Sequence, residues 1–268
     1  MLLSLVPAFG QDPLEIVRKS VNHDLSNWQR VKDYTYVRRT VMRERDSQGA
    51  IKKVNQSADE ILILYGQPYE RQIEKDGKPL SPEAQKKEQL KLDKTAVKRR
   101  GETVSERAKR LESFQRDRQK ERDFAREVPD AYNFKLLGEE VINGRKAWII
   151  DATPRPDYEA KNSRAAMLKK FRGRMWIDQK EFQWVRLDGE AIDTVTWGLF
   201  LARLAKGSKI FFEQLRVNDE VWMPKVIRIV LDARLALLKR LQGDIVLQFE
   251  NFRKFQSDSH IVEAAELE

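Results

Sequence analysis

Acid–base chemistry needs two titratable groups held within reach of each other, and this sequence offers two candidate pairs, Asp188 with Glu190 and Glu139 with Glu140. No base, nucleophile or metal ligand is placed beside either pair, and neighbouring acids on strands are commonplace, so no catalytic residue is assigned. The two histidines, His23 and His260, stand at opposite ends of the chain, which leaves little material for a metal site or a Ser/His/Asp triad. There is no cysteine, and thus no disulfide, thiolate ligand or cysteine nucleophile. The glycines form neither a GxxxxGK[ST] phosphate cradle nor a GxGxxG turn. No metal and no cofactor is expected, and the chemistry left to this chain is binding.

The segment that speaks for binding is GRMWIDQKEFQWVRLDGE, residues 173–190. Side chains alternate along strands, so without a bulge Met175, Ile177, Val185 and Leu187 share one face of this hairpin. Arg174, Trp176, Phe182, Trp184 and Arg186 share the other. Neither face reads as plainly wet, whereas an ordinary two-layer sheet has one solvated face. EILILY (60–65), KAWIIDA (146–152) and VIRIVLDA (226–233) show the same two-sidedness. A strongly curved sheet would use one face for a helix and the other for an apolar cavity. The candidate lining is Leu62, Leu64, Trp148, Ile150, Trp176, Trp184, Phe211 and Trp222, with Arg174 and Arg186 at the mouth. The alternative is a sheet whose faces are both fully covered, with no cavity.

These residues need elements to hold them. Asp12-Pro13 followed by Leu14, Ile16, Val17, Val21, Leu25 and Trp28 predicts a capped amphipathic helix. YTYVRRTVMRER (34–45), EILILY and YERQIEK (69–75) predict three strands. FKLLGEEVI (134–142) and KAWIIDAT (146–153) meet at Asn143-Gly144, which sets Leu137 opposite Ile150 if the turn has two residues. A polar helix is expected from about Tyr158 to Lys170, and WGLFLARLAKG (197–207) reads as an apolar helical turn or two. KIFFEQLRV (209–217), VWMPKVIRIVLDARLALL (221–238) and DIVLQFENFRKF (244–255) close the series, with Pro224 marking an edge or a bulge.

Between Ser81 and Val128 lies a helical segment with a break near Gly101, carrying fifteen Lys/Arg against ten Asp/Glu, a net of +5. Its apolar positions Leu90, Val97, Val104 and Leu111 recur about every seven residues, enough for a thin seam. The whole chain of 268 residues carries a net charge of +9, which suits anionic partners. An anionic membrane surface fits the segment better than nucleic acid, because Phe114 and Phe124 are almost its only aromatics for stacking bases. A solvated helix held by ion pairs is the plainer reading. The opening MLLSLVPAFG, ahead of Gln11-Asp12, reads as the remnant of a secretory signal over residues 1–11.

The strand pair "G, x, x, W, I, D, turn, aromatic, x, x, V, R", followed by GSKIFFEQLRVNDEVWMPKVIRI, resembles the LolA/LolB-like superfamily of outer-membrane lipoprotein carriers. The resemblance implies an α+β fold: a large curved antiparallel sheet, or half-open β-barrel, of about ten strands with plugging helices. Residues 12–268 would then form one domain with a charged helical insertion at about 81–128. It further implies a non-enzymatic, periplasmic protein holding a lipid or a lipoprotein acyl chain. The other expectation is an envelope interaction or stress-sensing module with a protein partner.

Overall fold

The computed structural model describes residues 11–197, 202–235 and 239–254. The apolar opening stretch lies outside them. Helix α1 (Pro13–Val31) is followed by strands β1 (Tyr34–Arg45), β2 (Ile51–Leu64), β3 (Gln67–Lys75) and the two-residue β4 (Lys78–Pro79). Helices α2 (Pro82–Arg100) and α3 (Val104–Ala131) lead into β5 (Tyr132–Ile142), β6 (Arg145–Pro154) and a short 3-10 helix (Ala165–Lys170). Strands β7 (Phe171–Asp178), β8 (Trp184–Ala191), β9 (Val195–Trp197), β10 (Ala202–Leu204), β11 (Lys209–Val217), β12 (Val221–Leu235) and β13 (Lys239–Lys254) follow.

The thirteen strands among the described residues belong to one antiparallel sheet, whose main path runs β4-β3-β2-β1-β13-β12-β11-β8-β7-β6-β5. Its two ends do not meet, so the barrel is half open. The sheet is curved, and α3 shows by how much. Near its start, Arg110 donates to the Tyr65 carbonyl and Leu111 lies against Gly66, at the β2–β3 turn. Its last residue, Ala131, runs directly into β5 at the other end of the sheet. From β3 to β5 is nine strand spacings, roughly 43 Å along a flat sheet. From Leu111 to Ala131 the helix rises only about 30 Å at 1.5 Å per residue, and the several ångströms that the Leu111 side chain spans to reach Gly66 still leave it short of the flat distance. The sheet therefore bends around α3, and bulges in β2, β3, β5, β8, β12 and β13 supply local bends.

Helix α1 covers the same concave side. Asp12 caps it by accepting from the Leu14 amide at 3.0 Å, with Pro13 in the first turn. Ile16 and Val17 are buried against Trp148, Ile150 and Ile177 of β6 and β7. Toward its end, Asn27 donates to the Trp222 carbonyl and accepts from the Trp222 amide, both at 2.8 Å, which fixes the helix to β12.

The charged segment is two helices. Thr103 and Glu106 form a reciprocal capping box that starts α3 after Gly101. Pro129 does not end α3 where sequence reasoning stops it. It falls in the last turn, where its missing amide costs the helix one hydrogen bond and burial of its neighbours Val128 and Ala131 holds the turn in place.

Three further expectations are corrected. The stretch from Tyr158 is not a helix until Ala165, because the Asn162 side chain accepts from the Arg164 and Ala165 amides and holds a turn there. Around 197–207 the described residues form strands β9 and β10, with 198–201 outside them. β12 runs on past the last partner it finds in β11, and β10 pairs with that free edge at Ala202–Leu204. Leu137 does not face Ile150. Gly138, at φ 150°, makes a bulge, so Leu136 pairs with Ile150 and Leu137 is left 43% exposed. Pro224 does mark a bulge: Gln214 pairs with Pro224 while Glu213 pairs with Val226.

The β7–β8 turn is held by Asp178, which is 1% exposed. Arg145 forks onto it at 2.7 and 2.9 Å, and it accepts from the Lys180 and Glu181 amides. Burial works against its charge, yet the Arg145 guanidinium and these amides hold its pKa below the usual carboxylate range. Removing one partner of such a buried pair costs about 3–5 kcal/mol, so Asp178→Asn is expected to lower the urea-unfolding free energy by that order. A depressed folded pKa adds stability that is present above the unfolded value of about 3.9 and fades below it. The gap between wild type and variant should therefore narrow as pH falls through 4; a gap independent of pH would refute the assignment.

Candidate functional site: an apolar cavity on the concave face

The β7–β8 hairpin does not keep the simple alternation. Trp176 pairs with Arg186, but Ile177 pairs with Trp184, so Val185 is an extra residue in β8. The bulge places the two tryptophans on opposite faces. Trp184 packs on the concave side with Trp148, Ile150, Met175, Ile177 and Leu187. Trp176 packs on the convex side with Ile142, Ala147, Val185 and Trp222.

Between the concave face and its covering helices lies a cavity of about 350 Å³. Its floor is β6 to β8 and β11, contributing Ala152, Met175, Trp184, Leu187 and Ile210. Its roof is Phe124 and Val128 of α3, with Met167 and Leu168 of the 3-10 helix. The reason for the space is a pair of glycines. Gly173 and Gly189 sit directly opposite each other on β7 and β8, both line the cavity, and neither fills the floor with a side chain. The two are not equivalent. A Cβ on Gly173 would come within 2.8 Å of the Asp188 carbonyl oxygen, whereas one on Gly189 meets nothing closer than 3.8 Å.

Most polar groups near the cavity have partners, the exception being the buried Trp184 indole N–H, which has none among the described residues. Tyr132 donates from its hydroxyl to the Leu168 carbonyl at 2.9 Å, and burial raises its pKa well above the ordinary phenol value. Buried Glu127 accepts from the Tyr158 hydroxyl at 2.9 Å and pairs with Lys161 at 2.7 Å. Burial, then the Glu127 hydrogen bond, raises the Tyr158 pKa. These tyrosines remain neutral, and their contacts tie the 158–170 segment to α3 and β5. Two arginines mark the rim: Arg164 lies over the Phe124 ring at 5.8 Å, and Arg172 pairs with Glu190 at 2.9 Å.

The convex face is organised differently. Arg186 lies over Trp176 at 4.6 Å and over Phe211 at 5.1 Å, and Arg228 lies over Phe211 at 5.8 Å. The Trp176 indole donates to Glu140 at 2.6 Å. Beside this ladder runs an open groove of about 690 Å³ lined by Arg172, Arg174, Asp188, Glu190, Lys209 and Arg228 among others.

The sequence candidates therefore divide. Trp184 lines the cavity, and Trp148 and Ile150 belong to the hydrophobic cluster beneath it. Trp176, Phe211, Trp222, Arg174 and Arg186 lie on or toward the convex face. Leu62 and Leu64 alternate with Ile61 and Ile63, which line a smaller concave pocket of about 80 Å³ with Tyr36 and Phe114. They share the face of Glu60 and Arg71, over which α2 lies through the Arg71–Gln89 hydrogen bond. The residues that sequence reasoning misses are Gly173, Gly189, Ile210, Met167 and the α3 pair Phe124 and Val128. Their one advance signal was the glycine at each end of the quoted hairpin segment.

The ladder and the cavity are separable. Replacing Arg186 with Met keeps the aliphatic stem and removes the cation, at a cost of about 1 kcal/mol for a partly exposed cation–π stack. The expected result is a slightly lower unfolding midpoint with the concave cavity unchanged. A collapse of the cavity in a crystal structure of this variant would contradict the two-face division.

No family model and no curated protein matches this chain. Among solved structures, a DUF1329 family protein from Desulfovibrio piger overlaps at 14% identity and TM-score 0.36, covering 92% of this chain and 95% of that one. A putative outer membrane lipoprotein-sorting protein domain from Vibrio parahaemolyticus overlaps at 10% identity and TM-score 0.33, covering 91% and 95%. A LolA superfamily protein from Nitrosomonas europaea overlaps at 10% identity and TM-score 0.32, covering 91% and 93%. All three TM-scores fall below 0.5, and the functional reading rests on the geometry of the cavity itself.

Proposed function

We propose that this chain is a non-enzymatic, extracytoplasmic binding protein that holds the acyl chain of a lipid or an acylated protein in the concave cavity. The observation that carries this reading is the glycine-floored, apolar volume of about 350 Å³ between sheet and helices. That volume is at the lower end of small-molecule sites. It equals the share of roughly a dozen waters in bulk liquid, and a hydrocarbon segment that displaces such water gains about 0.8 kcal/mol for each methylene buried. Lining of this kind discriminates by chain length and shape. It offers no charged group at its floor, so a headgroup would remain at the rim beside Arg164 and Arg172.

The location outside the cytoplasm is part of the proposal. No described helix is long and apolar enough to cross a membrane. Cell fractionation of the expressed protein tests the location directly, and recovery only with cytosolic markers would remove it.

For the cavity, Gly189→Leu is the decisive variant, because its Cβ fits and the side chain then enters the floor. Delipidated protein is titrated with a fluorescent dodecyl or hexadecyl acid and followed by Trp184-dependent fluorescence and by thermal shift. Wild type is expected to bind, and Gly189→Leu to bind at least tenfold more weakly at a similar unfolding midpoint. Ligand at 100 times Kd stabilises by about 2.7 kcal/mol, which a thermal scan resolves. Equal affinity in both proteins, or no acyl binding and no co-purifying lipid by native mass spectrometry, would overturn the proposal.

A further inference from the structure

Helix α2 has no part in the cavity. It lies against the outer side of β2–β3, where Arg71 donates to Gln89 at 3.1 Å and Arg99 donates to the Leu64 carbonyl at 2.7 Å. Helical spacing sorts its residues cleanly. Ala84, Glu88, Leu92, Thr95, Ala96 and Arg99 are half-buried and form the sheet-facing stripe. Directly opposite stand Leu90 and Val97, one heptad apart and 60% and 58% exposed. On the same outward side Lys86, Lys87, Lys94 and Lys98 are exposed, with the acids Glu83 and Asp93 exposed among them, while Lys91 lies toward the edge of the sheet-facing stripe and pairs with Glu88. Across the whole helix seven Lys/Arg stand against three Asp/Glu. None of its residues is buried.

We propose that the outward face of α2 is a peripheral docking surface for an anionic phospholipid bilayer, with its lysines at the headgroups and Leu90 and Val97 reaching the top of the acyl region. Charge complementarity selects the partner's sign, since four outward lysines exceed the two outward acids Glu83 and Asp93, and the two aliphatic side chains beside the lysines select its kind. A nucleic-acid stripe would carry aromatic or arginine planes among its cations to stack on bases, and this face carries no aromatic and a single arginine, Arg100, at the end of the helix. A soluble protein partner would bury a broader apolar patch than two side chains. Lysines beside a negatively charged leaflet act additively and are screened by salt, while shallow aliphatic tips hold the helix at the interface plane. The attachment is accordingly weak and reversible, and the helix does not leave the sheet to make it.

The test uses the full chain and extruded vesicles of neutral phosphatidylcholine, with or without 30 mole per cent phosphatidylglycerol. Co-sedimentation is expected with the anionic vesicles alone and is expected to fall steeply between low salt and 0.5 M salt. Lys94→Gln with Lys98→Gln should weaken binding on the order of fivefold per lysine removed. Leu90→Ser with Val97→Ser should weaken it several-fold without changing the unfolding midpoint, since both side chains are exposed. The chain has no cysteine, so Val97→Cys carries a single environment-sensitive dye. Its emission should shift to the blue on anionic vesicles and be quenched by brominated acyl chains, whereas the same dye at Asp46→Cys in the β1–β2 turn should not respond. Several outcomes overturn the proposal: vesicle binding that is unaffected by the α2 substitutions, no vesicle binding, or tight binding of a single-stranded oligonucleotide that is lost with Lys94 and Lys98. Acyl binding in the cavity is read separately with Gly189→Leu, so either conclusion can fail without the other.

Discussion

The architecture depends on a length mismatch. Helix α3 joins the β2–β3 turn to β5 over a shorter distance than the strands between them occupy when flat, and the sheet resolves the difference by bending. An open antiparallel sheet has no intrinsic reason to adopt one curvature, since its twist is compatible with many. Here the curvature is set by a chord. That chord also becomes the roof of the cavity, so one helix decides both how far the sheet closes and what stands above its floor. Because its first half carries few apolar residues and its last turns carry Phe124, Val128 and Ala131, packing is concentrated at the β5 end, where the cavity lies.

Much of the fold was legible in the sequence because local signals and tertiary context agreed. Asp12-Pro13 capped a helix, Asn143-Gly144 closed a hairpin, Pro224 marked a bulge and Gly101 divided the charged helices. The failures occurred where one residue is added to a strand. Period-two reasoning carries no memory of a bulge, and every side chain beyond it changes face. Val185 moved Trp184 to the concave side, and Gly138 moved Leu136 into the place assigned to Leu137. At 197–207 the apolar run matched a helix, but an unpaired edge of β12 was available to it, which only the assembled sheet could disclose.

The cavity was less legible than the fold, for a related reason. Sequence reasoning looks for large apolar residues and therefore proposes walls. A cavity is equally a matter of what is missing, and here Gly173 and Gly189 matter through the side chains they lack. Recognising them requires knowing that they face each other across two strands. The aromatic and arginine residues that drew attention first, Trp176, Arg186 and Phe211, instead stabilise the convex face as a stacked ladder.

The opposed glycines also make the wall at that point unusually thin. Gly173 and Gly189 border the apolar cavity on one side and the charged convex groove on the other. Elsewhere the interior is separated from solvent ions by a layer of side chains as well as by the backbone. At this spot only peptide groups intervene, and apolar surroundings screen poorly. The potential set outside by Arg172, Arg174, Asp188 and Glu190 therefore reaches the floor of the cavity. An occupant without any formal charge would still experience that field through its own dipole, so its orientation in the cavity is coupled to ions it never touches.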